Sequence, residues 1–165
     1  MPSCITLQET KLKNQNVKIS GYQLFFKDRE NHGGGGLVTA IDENLAAIQV
    51  SSSENDILVV QVSVGGQDIR VINAYGPQEA NSQNEKQLVM EKQVILAFEE
   101  KCLVIIQMDA NAKLGSRLFA KDPHDMTENG LFLSEMVQRQ NLHILNTDGL
   151  CSGAITRHRK TTSGL

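Results

Sequence analysis

No CxxC pair occurs anywhere in this sequence. Its three cysteines, Cys4, Cys102 and Cys151, are odd in number and far apart, which argues against both a disulfide framework and a cysteine-based zinc site. Buried thiols are the expectation. No apolar run reaches bilayer-spanning length, and the opening MPSCITLQET has neither the basic region, the long apolar stretch nor the small-residue site of a secretory signal. An intracellular chain with no membrane partner is therefore expected. A basic excess is missing too: 16 Lys and Arg against 19 Asp and Glu give a net charge of -3, so any contact with nucleic acid has to be local. Repeats, linkers and low-complexity blocks are absent, and one domain, 1–165, is expected.

What is present alternates. CITLQ (4–8) and YQLFF (22–26) have strand composition, and GGGGLVTAI (33–41) is a glycine turn running into a third strand. DILVVQVSVGGQDIRVINAY (56–75) is two β-branched runs joined at Gly65-Gly66, the pattern of a hairpin. From Asn84 to Lys101 the apolar period lengthens to that of a helix, which feeds the strand CLVIIQM. A second helix is predicted over about 127–140, followed by strands at LHILN (142–146) and GAITR (153–157). Hairpins first and helix–strand units second indicate an α/β or α+β layered domain, a class that keeps its chemistry at strand ends.

Three strand ends carry candidate chemistry. After CLVIIQM come Asp109 and Asn111, two apart and so expected on one strand face. A carboxylate beside an amide can orient a water and hold an anionic oxygen; the same pair can simply turn the chain. CITLQ ends at Glu9, a carboxylate able to hold a hard divalent cation or to sit solvated at an edge. VINAY ends at Tyr75 before a Gly-Pro turn, where a phenol can donate to a developing oxyanion or cover the end of the sheet.

Together, LQETKL, GGGGLVTAI, VINAYGPQ, MDANAKLG, NGLFLSEMVQRQNLHILN and GAITR resemble, in order and approximate spacing, the endonuclease/exonuclease/phosphatase superfamily. The likeness is greatest to the apurinic-type endonuclease domain of non-LTR retrotransposons. The resemblance implies a four-layered α/β sandwich of two packed mixed β-sheets with outer helices, cleaving DNA phosphodiesters with Mg2+ or Mn2+, in the nucleus if DNA is the substrate. It implies that Glu9 holds the metal, Tyr75 meets the scissile phosphate, Asp109 orients or deprotonates the attacking water, and Asn111 steadies phosphate and water. It also implies that Asn129 lies close to substrate and that Thr156 touches backbone phosphate.

The sequence departs from the family pattern in three places. An asparagine-bearing strand is expected ahead of LQET and an Asp-His pair after GAITR, and the chain reads as a member trimmed at both ends. In the central Gly-Asp-Phe-Asn motif, Met108 and Ala110 replace Gly and Phe. Because a catalytic set works as a unit, two functions follow: a DNA endonuclease whose activity is weak or lost, or a non-catalytic binding module for DNA or protein. A sheet lacking a strand has an open edge, a route to homo-oligomers. His158, within RHRK, is either a solvated tail residue or a substitute for the histidine.

Overall fold

The computed structural model of the protein describes residues 2–12, 17–28, 35–50, 56–76, 83–115 and 125–145. Seven strands and two helices occur among them: β1 Cys4–Gln8, β2 Tyr22–Lys27, β3 Leu37–Asp42, β4 Ala46–Val50, β5 Ile57–Val64, β6 Gln67–Tyr75, α1 Gln83–Glu99, β7 Leu103–Asp109 and α2 Glu128–Arg139. They build two sheets. One is antiparallel, ordered β1-β3-β2; the other is mixed, ordered β4-β5-β6-β7, with β6 and β7 parallel across the α1 crossover.

Alternation along the strands creates two cores. Leu58, Val60 and Val62 of β5 and Val71 and Tyr75 of β6 meet Leu37 and Ile41 of β3 between the sheets. The opposite phase, Ile57, Val59, Ile72 and Ala74, packs with Val94 of α1 and Met136 of α2, so the described helices cover the outer face of the mixed sheet. The result is an α/β sandwich. No helix among the described residues is long and apolar enough to cross a membrane.

The β5–β6 hairpin closes with Val64 opposite Gln67, and both loop glycines are left-handed, at φ 58° and 81°. That is the requirement of the tight turn whose twist matches the strands. Two differences from the sequence pattern stand out. β4 has no counterpart among the expected elements. LHILN, expected as a strand, is not one over its described residues: the chain leaves α2 through left-handed Asn141 (φ 50°), and the Leu142 N–H donates to Val137 O at 2.9 Å. A helix-ending motif of this kind uses the donor that a strand ladder would need, and the Leu142 side chain packs into the helix-side core. GAITR lies outside the described residues.

Candidate active site

Three strand ends converge. In the parallel pairing of β6 with β7, Tyr75 stands opposite Asp109, so both side chains project from the same face, the one turned toward the antiparallel sheet. The ends are drawn tight. The Gly76 N–H donates to Asp109 O at 2.7 Å, and a Cβ on Gly76 would collide with the Ala110 backbone. From the other sheet, β1 delivers Glu9, whose Oε1 accepts a 2.9 Å hydrogen bond from Tyr75 Oη. Tyr75 is buried, while Glu9 and Asp109 are exposed.

Asn111 reaches this cluster by a turn, not by strand alternation. It lies beyond the end of β7 in the left-handed region (φ 45°), its N–H donates to Asp109 Oδ1 at 3.1 Å, and its Nδ2 donates to Gly76 O at 2.9 Å. Asp109 and Asn111 thus make the Asx-type turn that the sequence allowed, and that same turn ties Asn111 to the end of β6. Asn129, at the start of α2, is 2% exposed and donates to Asn111 O at 3.1 Å; it buttresses Asn111 from behind. Thr127 caps α2 and anchors the loop, its Oγ1 accepting from Gly130 N at 3.2 Å and from Lys113 N at 3.1 Å. Thr156 lies outside the described residues.

Glu9 also has an unusual backbone, left-handed at φ 52°. The next two residues are held by the glycine stretch: Thr10 N donates to Gly36 O at 3.2 Å and Lys11 N to Gly35 O at 2.8 Å. Those glycines stand at φ 99° and 108°, which only glycine adopts readily. Thr10 Oγ1 is buried with no partner among the described residues. The glycine-rich segment therefore shapes the strand end that carries Glu9.

Sequence reading missed Asn73. It is fully buried and accepts from Gln8 Nε2 at 2.8 Å. The available signal was an asparagine at an inward position of a β-branched run, between Val71 and Tyr75.

The donor chemistry of the cluster is oxygen: the carboxylates of Glu9 and Asp109 and the phenol of Tyr75. Among the described residues no three His, Cys, Asp or Glu side chains group to form a metal cage. One or two carboxylates fit a hard divalent cation that keeps most of its waters and is completed by substrate phosphate. The same set does not suit zinc.

Comparison with solved structures gives the sandwich its relatives. The endonuclease domain of TRAS1, a telomere-specific non-LTR retrotransposon, is similar with a TM-score of 0.56 at 22% identity, over 77% of this chain and 56% of that one. The AP endonuclease LMAP from Leishmania major is similar with a TM-score of 0.66 at 15% identity, over 85% of this chain and 58% of that one. The chain has the endonuclease/exonuclease/phosphatase fold. It spans little more than half the length of these two members of that fold. No protein-family model and no curated protein matches the sequence, so the superfamily likeness rests on the shape of the chain and on the short motifs at its strand ends.

Proposed function

We propose that this chain carries a site for phosphodiester hydrolysis in DNA, assisted by Mg2+ or Mn2+. The observation that supports the reading most is the junction of the two sheets: Tyr75 is hydrogen-bonded to Glu9 of one strand end and paired in register with Asp109 of another. In this reading Glu9 holds the cation. The bound metal supplies positive charge that offsets the charge gathering on the phosphate. The Tyr75 O–H, donated to Glu9 in this structure, would turn to a phosphate oxygen when substrate binds, since a phenol has a single proton to donate, and Asp109 accepts a proton from the attacking water. Asn111 fixes the loop on which Asp109 depends, and Asn129 acts through Asn111. The two solved relatives are named an endonuclease domain and an AP endonuclease, which agrees with DNA as the substrate.

A second reading, a DNA-binding module without turnover, draws on the turn itself, since an Asp109 oxygen and the Asn111 amide are both engaged by the backbone. One experiment separates the two. Purified protein is incubated with supercoiled plasmid in Mg2+, in EDTA, and as Asp109→Ala. Nicking that disappears in EDTA and in the variant is the expected result. DNA retention with no nicking supports the binding module, and nicking indifferent to Asp109→Ala overturns the assignment.

A further inference from the structure

Asn73 lies on the inter-sheet face of β6, and its relative exposure is 0%. A buried amide is costly unless its polar atoms are satisfied, and all of the partners found here belong to the opposite sheet. Its Nδ2 donates to Val38 O at 2.9 Å, Leu7 O at 3.3 Å and Thr39 Oγ1 at 3.3 Å, and its Oδ1 accepts from Gln8 Nε2 at 2.8 Å. Leu7 and Gln8 immediately precede Glu9 in the chain. Asn73 itself is two residues before Tyr75 and, by strand alternation, on the same face.

We infer that Asn73, with Gln8, is a positioning residue that fixes one sheet against the other so that Glu9 and Tyr75 meet at hydrogen-bonding distance. The surrounding contacts cannot do this alone. Apolar packing between Leu37, Ile41, Leu58 and Val60 is non-directional, and it tolerates small slips that break a 2.9 Å hydrogen bond. Amide bonds across the interface have defined lengths and angles, and they sit one residue from Glu9 and two from Tyr75. The inference rests on reading Glu9 and Tyr75 as a working pair and names what holds them together.

The test uses the scarcity of aromatics. The chain has two tyrosines and no tryptophan, so in a Tyr22→Phe background the tyrosine Fermi doublet in ultraviolet resonance Raman reports the Tyr75 phenol alone. Asn73→Leu and Gln8→Ala are expected to move the doublet to where Glu9→Ala puts it, with the circular dichroism spectrum retained. Ile72→Val, which perturbs the helix-side core, should leave the doublet unmoved. Where the parent nicks plasmid, the two variants should slow it by about a hundred-fold, the scale of a small misplacement of reacting groups. An unchanged doublet in folded Gln8→Ala overturns the inference, and that variant decides if Asn73→Leu fails to fold. The doublet reads a hydrogen bond, not turnover, so a parent without nicking activity sinks the nuclease reading and leaves this test intact.

Discussion

Glu9 holds its carboxylate on a backbone that L side chains adopt at a cost of about 1 kcal/mol. Its φ of 52° matches neither strand nor helix, and the strain sits where the candidate chemistry is. Asn111, also left-handed, adopts that conformation more cheaply because asparagine tolerates it. Two substitutions isolate the effect: Glu9→Ala and Glu9→Gly both remove the carboxylate and the bond to Tyr75, and differ mainly in backbone freedom. Glycine at this position is expected to give the more stable protein by about 1 kcal/mol in urea denaturation, with neither variant nicking plasmid. Equal stabilities would mean that Glu9 is not left-handed in solution. Glu9, Tyr75, Asp109 and Asn111 were legible as candidates from their places at the ends of apolar runs. The left-handed backbone of Glu9 was not, because it is set by distant partners: Gly35 and Gly36 accept hydrogen bonds from Lys11 and Thr10.

Among the elements, α2 matters most to the site, since its first turn supports Asn111. Thr127 both caps the helix and holds the Lys113 N–H. Thr127→Ala should therefore cost about 1–2 kcal/mol, the upper range for a lost cap; an effect of a few tenths in thermal or urea unfolding would contradict the double role. The helix was readable from its periodicity, and the β5–β6 hairpin from Gly65-Gly66. β4 was not, because AAIQV is short and largely exposed along its length. A strand of that kind is recognised through pairing with β5, a tertiary fact with little local trace. LHILN failed for the converse reason: apolar alternation was present, but its first backbone donor belongs to the end of α2.

At the scale of the whole molecule, the two helices are clamped to each other by a charged cluster. Glu91 of α1 accepts from Arg139 Nε at 3.0 Å, from Arg139 Nη2 at 3.1 Å and from Gln140 Nε2 at 3.0 Å. Hydrogen bonding to Arg139, more than any other influence, holds the Glu91 carboxyl below the usual range, and the backbone and side-chain amides of Asn44 do the same for Asp42. A carboxyl with a lowered folded-state value contributes stability above its unfolded value and loses that contribution as pH falls through the folded one. Stability should thus decline below about pH 4, the ordinary carboxylate range, and Glu91→Gln should flatten that decline in acid titrations followed by circular dichroism. A decline as steep as in the parent would remove the clamp from the account. The layered class was legible because hairpins in the first half and helix–strand units in the second leave few architectures. The sheet-to-sheet contact at Asn73 was not, since no local pattern announces which strands will face each other. The central claim is that Glu9 and Asp109, one hundred positions apart in sequence, work in one site. Plasmid nicking rates for Glu9→Ala, Asp109→Ala and the double variant test it directly. Members of one catalytic set are strongly non-additive, so each single substitution should abolish most of the rate and the double should be no slower than either single. Losses that multiply in the double variant, as for independent sites, would contradict the claim.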